Sequence, residues 1–399
     1  MSAFLNALGL VCALGRDQAD VARHLFAGDC TGVREEDGWV PQRRVPVAAV
    51  RGALLPLPAE LQPRHSRNNQ LLYEACLQIA PQLEHAIARH GRDRVAIVLG
   101  TSTSGIAEAG EGIAHYLREQ QFPPGYDYAE QELSAPASFL ADWLQLNGPA
   151  YVISTACTSS ARALMSARRL LDLGMCDAVI CGGVDSLCKL TLNGFSALEA
   201  VSAKRCNPFS VNRNGITIGE AAVVFLMTRE ANREGPTVAL LGAGASSDAH
   251  HISAPDPQGK GALQAMAKAL DNAGLQPAQI DYLNLHGTAT AHNDAMESQA
   301  VHALFGSQLA CSSSKPMTGH TLGAAGALEA AFCWLSLSAH NPDGRLVPHV
   351  WDGAIDPQLP ALNLVDTRQR LPAAGPRRLM SNSFAFGGNN VSLILGDAS

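Results

Sequence analysis

A cysteine and two histidines stand at junctions of the kind that position reactive side chains in α/β proteins. Cys157 follows an apolar run and precedes a helical pattern that begins near Ser159. His286 ends another apolar run, and His320 lies in a glycine-rich stretch ahead of a long apolar helical pattern. Side chains at the ends of strands in such sheets usually face a ligand, so the three residues together favour a shared chemical role.

These residue types suit chemistry on a thioester. A thiol at a helix N-terminus feels the positive end of the helix dipole, which favours the nucleophilic thiolate of Cys157. The same dipole predicts a lowered pKa for His320, because it disfavours the imidazolium cation. Neutral imidazoles can accept a proton or donate a hydrogen bond to an oxyanion, as acyl transfer to a thiol requires.

Plainer interpretations of the same residues stay open at this point. Cysteine is among the most buried residue types, so Cys157 alone could pack as an inert core residue. Either histidine alone could be structural, or the histidines could bind a metal ion. No carboxylate stands at a recognisable ligand spacing and no CxxC pair occurs, so we expect no metal site.

The composition excludes several classes of protein. The 399 residues include 29 Lys and Arg against 36 Asp and Glu, a net charge of −7 that argues against nucleic-acid binding. No uncharged apolar run reaches the roughly 18 residues of a membrane span. No signal peptide is visible and the ten cysteines show no disulfide pattern, so we expect a reducing cytoplasm. Only 16% of the residues are charged, which favours a large area buried against another subunit.

Elements of an α/β sheet surround the three candidate residues. Apolar strand runs alternate with helical patterns in both halves of the chain, which indicates a partly parallel sheet and an internal duplication. The predicted strands are 95–99, 151–155, 178–181, 220–227, 238–241, 280–285, 310–313 and 391–395. The predicted helices are 159–173, 261–273 and 322–337. The proline-rich stretches are predicted to be surface loops and cover 41–63 and 342–376.

Four ordered motifs resemble those of the β-ketoacyl-ACP synthases of the elongating Cys-His-His type. They are TACTSS around Cys157, HGTAT at His286, KPMTGHTLGAAGALE around His320 and NSFAFGG near the end. The resemblance extends from about residue 4 to 396 and implies the thiolase fold, a duplicated five-layer α-β-α-β-α architecture that usually forms a dimer. We expect residues 1–242 to form the half with the nucleophile and residues 243–399 the half with both histidines.

The resemblance implies a catalytic role for five residues. Cys157 is the nucleophile that accepts the acyl chain from acyl carrier protein. His286 and His320 assist the decarboxylation of malonyl-ACP and stabilise the enolate. Lys315 and Glu329 form the supporting polar set beside His320.

Other positions match groups that surround the substrate. The backbone N–H groups of Cys157 and Phe386 match the oxyanion hole. The gating and substrate-binding set consists of Phe384, Phe386, Thr288, Thr290, Thr103 and Ile216. Ile216 replaces a phenylalanine that is common in the family, and GGNN replaces the usual GGTN. Thr103 stands where a bulkier residue often closes the acyl pocket, so a small polar residue there can admit a longer, stiffer or more polar chain.

The implied activity is that of a β-ketoacyl-[acyl-carrier-protein] synthase, an acyltransferase that forms C–C bonds. A Cys157 acyl-enzyme would react with malonyl-ACP by decarboxylative Claisen condensation, in fatty acid or in specialised polyene, aryl polyene or polyketide biosynthesis. The phosphopantetheine of acyl carrier protein carries the substrates, and no further cofactor is implied. One alternative is a mainly structural ketosynthase-like subunit of a heterodimer. The other is a thiolase, which usually needs a second cysteine near the C-terminus, whereas the last cysteine here is Cys333.

Capture of an acidic carrier protein is a problem for an acidic chain. The segment at 64–72, RHSRNNQLL, is less basic than is usual in the family, and Glu199 stands where a basic residue often contacts the carrier. We expect Arg64, Arg67 and Arg205 to dock the carrier. Either the chain forms a homodimer, or it pairs with a chain-length subunit that supplies part of the carrier surface.

Overall fold

The computed structural model describes residues 3–231 and 237–397 as a mixed α/β structure. Its strands are β1 Ala3–Cys12, β2 Val33–Val40, β3 Arg43–Ala48, β4 Val95–Gly100, β5 Ala150–Ile153, β6 Ala178–Asp185, β7 Ile218–Gly219, β8 Ala221–Thr228, β9 Val238–Ser247, β10 Tyr282–Asn284, β11 Ala310–Ser312, β12 Asn363–Leu364, β13 Arg378–Phe384 and β14 Asn389–Asp397. Its helices are α1 Gln18–Ala27, α2 Arg67–Leu77, α3 Ala80–His90, α4 Ile106–Glu119, α5 Ala135–Leu144, α6 Ser159–Asp172, α7 Lys189–Ala197, α8 Lys260–Ala273, α9 Ala291–Phe305, α10 Lys315–Thr318 and α11 Ala325–Leu337.

The predicted duplication appears in the order and direction of the strands. One continuous sheet of eleven described strands runs in the order β12-β11-β10-β13-β14-β9-β1-β8-β6-β4-β5. Reading outward from its centre, β1-β8-β6-β4-β5 and β9-β14-β13-β10-β11 have the same sequence of pairings: antiparallel, antiparallel, parallel and parallel. A short antiparallel contact between β1 and β9 joins the two halves. The second half of the repeat starts at Val238, the first residue of β9, and the predicted division after residue 242 lies inside that strand. The division of the chain into two domains stays a prediction.

Helices α6 and α11 form the central layer of the fold. They pack on each other and contact strands of both half-sheets, while α2 and α5 cover the outer face of one half and α8 and α9 the other. Every residue of α11 is buried, as expected for a helix that is apolar on all sides. The N-termini of α6 and α11 meet inside the protein, where the N–H of Ala327 donates to the Ser160 hydroxyl at 2.9 Å. This contact brings the segments with Cys157 and His320 together.

The proline-rich stretch at 41–63 was predicted to be a surface loop, and this prediction is wrong for its first part. It contains β3, whose residues 45–48 are buried and which pairs with β2 on one side and with β7 on the other. Pro46 caused the error, because a proline inside an apolar run normally argues against a strand. The strand is accommodated at this position in a small separate sheet of three described strands.

The structure also differs from the sequence predictions at the start of one long helix and at a buried strand. The helix predicted for 322–337 opens with a 3-10 turn at Leu322–Ala324 and becomes α-helical as α11. Strand β13 was not predicted, although it lies between β10 and β14 and is buried over most of its length. Within the described part of the chain, no helix combines the length and apolarity that a membrane crossing requires.

Candidate active site

Cys157 lies at a sharp turn between β5 and α6. Ala156 takes a left-handed φ of 51°, which is strained for a residue with a side chain. Ser159 stabilises the turn: its hydroxyl donates to the carbonyl of Ala156 at 2.5 Å and accepts from the N–H of Thr155 at 2.9 Å. The turn presents the Cys157 side chain at the start of α6, where it is 6% exposed.

His320 is fixed to the small strand β7 through its own backbone. Its N–H donates to the carbonyl of Thr217 at 2.6 Å, and its carbonyl accepts from the N–H of Gly219 at 3.0 Å. This bridge places Nε2 of His320 3.0 Å from Sγ of Cys157. The two atoms, 163 positions apart in sequence, are therefore within hydrogen-bonding distance.

His286 follows β10 and completes the group. Glu297, a buried residue of α9, accepts the backbone N–H of His286 at 2.8 Å and that of Gly287 at 2.7 Å. The rings of His286 and His320 are nearly perpendicular at 85°, with centroids 5.2 Å apart. The structure thus brings together all three residues that the sequence singled out.

Lys315 and Glu329 form a buried ion pair behind the histidines. The Lys315 ammonium contacts the Glu329 carboxylate and the carbonyl of His286, and it lies 3.4 Å from Nδ1 of His286. The two side chains are 1% and 3% exposed. An ammonium only donates hydrogen bonds, so Nδ1 of His286 must be the unprotonated nitrogen and Nε2 carries the hydrogen.

The ionisation of the site follows mainly from burial. Burial raises the pKa of the Cys157 thiol to about 11, although Lys315 and the backbone N–H groups of Phe386 and Cys157 act in the opposite direction. Burial and then Lys315 lower the pKa values of His286 and His320 well below the usual range. The helix dipole, which favours the thiolate, therefore does not dominate the pKa of Cys157, because desolvation outweighs the groups that favour the anion. The lowered pKa of His320 was predicted correctly, but burial is its main cause.

A cavity of about 470 Å³ opens onto the three residues. Five of the predicted gating and binding residues line it: Thr288, Thr290, Phe384, Phe386 and Ile216. The hydroxyls of Thr288 and Thr290 are 3.0 Å apart. Phe386 faces Phe195 of α7, with ring centroids 5.6 Å apart, so the entrance has aromatic side chains from two segments.

Thr103 is placed differently from the other predicted binding residues. It is buried and is not among the residues that line this cavity. Its backbone N–H and its hydroxyl both donate to Oδ1 of Asp185 at 2.8 Å. The hydroxyl is therefore satisfied inside the protein, and its polarity is not presented to the cavity.

Two of the three predicted docking arginines take part in internal ion pairs. Arg64 binds Glu130 and Asp142, and Arg67 binds the fully buried Glu220. Their charge is largely neutralised within the chain. Arg205 is exposed and has no ion-pair partner among the described residues.

Sequence reasoning missed the buried acidic residues that hold the site loops. Glu297 holds the loop with His286, and Asp185 binds the loop after β4. Both are carboxylates without a motif around them, and no sequence signal separates them from the exposed acids. Phe195 was missed because a single aromatic residue in a short helix usually packs in a core.

The same three side chains are close enough together to share one metal ion. The sulfur of Cys157 and one ring nitrogen each of His286 and His320 lie within 4.8 Å of one another. Sulfur and imidazole are ligands that zinc accepts. The Lys315 ammonium directly beside His286 puts a positive charge next to the group, which opposes the binding of another cation.

Two family models cover most of the chain. Residues 62–232 match the N-terminal domain of β-ketoacyl synthases, and residues 238–341 match the C-terminal domain. The chain therefore belongs to the β-ketoacyl synthase family, and its duplicated architecture is the thiolase fold.

Curated relatives include two 3-oxoacyl-[acyl-carrier-protein] synthases. The mitochondrial protein of Arabidopsis thaliana is 38% identical over 62% of this chain and 56% of its own length. Synthase 2 of Rhizobium meliloti (strain 1021) is 37% identical over 63% of this chain and 61% of its own length. The chain thus spans less than two thirds of the length of these relatives.

Solved structures match over the whole chain. The ketosynthase (ApeO) in complex with its chain length factor (ApeC) from Xenorhabdus doucetiae has a TM-score of 0.93 and 47% identity, covering 100% of this chain and 98% of that one. A β-ketoacyl synthase from Burkholderia phymatum STM815 has a TM-score of 0.88 and 25% identity, with complete coverage of both chains.

Proposed function

We propose that this protein is a β-ketoacyl-[acyl-carrier-protein] synthase that extends an acyl chain by two carbons through a Cys157 thioester. The observation that carries this proposal is the 3.0 Å contact between Sγ of Cys157 and Nε2 of His320, with His286 beside it. A neutral thiol and a neutral imidazole at this distance are poised for proton transfer during attack on a thioester.

Acyl transfer comes first. Nε2 of His320 accepts the thiol proton as the sulfur of Cys157 attacks the carbonyl carbon of acyl-ACP. The tetrahedral intermediate expels the phosphopantetheine thiolate, which takes the proton from His320 and leaves as the free thiol. The backbone N–H groups of Cys157 and Phe386 stabilise the oxyanion, in line with their effect on the pKa of the same sulfur.

Condensation follows on the acylated enzyme. The Nε2–H of His286 donates to the thioester oxygen of malonyl-ACP and stabilises the enolate as carbon dioxide leaves. The enolate carbon attacks the Cys157 thioester, and collapse of this intermediate releases β-ketoacyl-ACP and the cysteine thiolate. A proton from solvent, delivered through His320, restores the thiol and balances the reaction.

The proposed reaction uses no metal and no redox group. Loss of carbon dioxide supplies the driving force, and the electrons of the broken C–C bond form the new one. The positive charge of Lys315 beside His286 supports this proposal, because it stabilises the developing enolate electrostatically.

The proposed partners are acyl carrier protein and a second ketosynthase-like subunit. The exposed Arg205 and its neighbour Lys204 are the proposed docking cations. The N–H of Lys204 donates to Ser202, whose hydroxyl contacts Asn214, a residue of the cavity wall. The similarity to a ketosynthase solved with its chain length factor supports a heterodimer over a homodimer. The unpaired state of all ten cysteines supports the cytoplasm as the location.

The test measures product formation from acyl-ACP and malonyl-ACP, with and without a candidate chain-length subunit. The wild type is expected to form β-ketoacyl-ACP and to show an acyl mass increment on Cys157. Cys157→Ala removes the product and the mass increment. The matched control Cys30→Ala, at a half-buried cysteine near the start of the chain, retains both. Equal product from Cys157→Ala and wild type would overturn the proposal.

The same experiment decides the structural alternative. A mainly structural subunit would carry no acyl group on Cys157 in any complex and would form no product with any partner. The close contact of Cys157 with His320 favours the catalytic function, because a structural subunit has no need for it.

A further inference from the structure

Asp185, the last residue of β6, is a fully buried carboxylate surrounded by hydrogen-bond donors. Oδ1 accepts the hydroxyl of Thr101 at 2.7 Å and the backbone N–H groups of Ser102 and Thr103 at 2.8 Å each. The hydroxyl of Thr103 adds a fourth bond to the same oxygen at 2.8 Å. Oδ2 accepts the backbone N–H of Gly323 at 2.5 Å. One side chain thus joins the loop after β4 to the turn before α11.

The hydrogen bonds around Asp185 favour its ionised form, whereas burial raises the pKa of this carboxyl. The N–H of Ser104 donates to the Thr101 hydroxyl at 3.1 Å, and the N–H of Ser186 donates to the Thr103 hydroxyl at 3.3 Å. Both hydroxyl hydrogens are therefore free to point at Asp185. Three of the five groups are backbone N–H groups, which only donate, and each of the two hydroxyls already accepts one bond.

The turn after His320 depends on this carboxylate. Leu322 takes a left-handed φ of 52°, and the following N–H of Gly323 is held by Asp185. The contact is tight, since a Cβ added at Gly323 would lie 2.7 Å from Oδ2. Nδ1 of His320 has no hydrogen-bond partner among the described residues, so no bond at that nitrogen orients the ring. Apart from the contact of Nε2 with Cys157 and the packing of the buried ring, the backbone on both sides sets its direction.

We propose that Asp185 is a positioning residue that keeps the His320 imidazole within reach of the Cys157 thiol. The bridge to β7 fixes the chain before the turn, and the Asp185–Gly323 bond fixes it after the turn. The importance of this role for catalysis rests on the proposed function. The role itself can be tested through the reactivity of the Cys157 thiol alone.

The test uses Asp185→Asn, an almost isosteric change. The amide oxygen can replace Oδ1 toward the loop after β4, which leaves the amide NH₂ facing the N–H of Gly323. Donor then faces donor, so the turn loses its anchor while the other bonds persist. Gly323→Ala disturbs the same contact from the opposite side and serves if Asp185→Asn does not fold.

The readout is the rate of alkylation of Cys157 by iodoacetamide across a pH series, with intact-mass detection. His320→Ala sets the profile of a thiol without its imidazole neighbour. We expect Asp185→Asn to move from the wild-type profile toward that of His320→Ala by about one pH unit, a tenfold change in rate at fixed pH. Circular dichroism confirms that each variant is folded.

Thr101→Val is the matched control, because it removes one donor to Oδ1 and leaves the Gly323 bond in place. It is expected to lower stability but to retain the wild-type alkylation profile. The inference is overturned if folded Asp185→Asn or Gly323→Ala keeps the wild-type profile, or if Thr101→Val shifts it equally. Failure of the proposed function would appear instead as absence of condensation product with an unchanged alkylation result.

Discussion

Replacement of Lys315 by methionine separates the structural and chemical roles of the buried ion pair. Methionine retains most of the side-chain volume and removes the ammonium. That ammonium contacts Glu329 and lies 3.4 Å from Nδ1 of His286. The change therefore leaves Glu329 buried without a partner and frees His286 to adopt either tautomer.

The expected loss of stability is large. Removal of one member of a buried ion pair typically costs about 3–5 kcal/mol, because the remaining charge is buried and uncompensated. Oε2 of Glu329 already has no hydrogen-bond partner among the described residues, so no other group replaces Lys315. The double variant Lys315→Met/Glu329→Leu should recover most of this loss, because an apolar pair needs no compensation.

The loss should also depend on pH. Burial raises the pKa of Glu329 from 4.5 to about 7 in the folded protein, with Lys315 opposing the shift. A carboxyl with a raised folded pKa contributes stability that is complete below its unfolded pKa and is lost as pH rises through the folded value. Removal of Lys315 raises the folded pKa further. The deficit of Lys315→Met against wild type should therefore be small near pH 6 and larger near pH 8.5.

Urea unfolding of the wild type, Lys315→Met, Glu329→Leu and the double variant measures these energies across that pH range. In condensation assays of the folded fraction, Lys315→Met should lower kcat more than it raises KM, because the misprotonated tautomer of His286 cannot donate to the enolate. A deficit that is equal at all pH values, or a double variant that is no more stable than Lys315→Met, would refute this account of the pair.

Three further predictions concern other parts of the molecule. Asn389→Ala removes the acceptor that Arg162 of α6 binds at 3.1 Å, so the turn with Phe386 should loosen. We expect acylation of Cys157 to slow, with a loss of stability below about 1.5 kcal/mol. Unchanged burst kinetics would contradict this prediction. Phe332→Ala in the enclosed helix α11 should lower the free energy of unfolding in urea by about 3–5 kcal/mol, because the central layer cannot collapse around the cavity. A loss below about 1 kcal/mol would show that the layer does collapse around it. Dialysis against a chelator should leave condensation activity and intact-mass acylation unchanged, with metal analysis before and after as the check; activity restored only by added zinc would show that the three clustered residues bind a metal.

The residues of the active site were predictable because their chemistry is local. Cys157 and His286 each follow a strand, and His320 lies in a glycine-rich stretch ahead of a long helix. Apolar runs and small residues mark these junctions in the sequence. The alternation of strands and helices likewise predicted the duplicated α/β organisation. Strand β3 escaped because Pro46 contradicts the usual pattern, and its partners lie elsewhere in the chain.

Only the tertiary structure decided how these groups are charged and held. Glu220 neutralises Arg67 from 153 positions away, and this pairing weakens the docking role that the sequence predicted for that arginine. Burial in the folded protein raises the pKa of Cys157, although the local helix dipole favours the thiolate.

The sequence by itself determined which functional groups the protein has and the kind of junction at which each stands. The tertiary structure determined which groups meet, how deeply they are buried and which carboxylates fix their positions. Asp185 shows the difference most clearly, because its bond to Gly323 joins residues 138 positions apart. Hydrogen bonds and desolvation depend on distance in space, and the order of residues along the chain does not contain that distance.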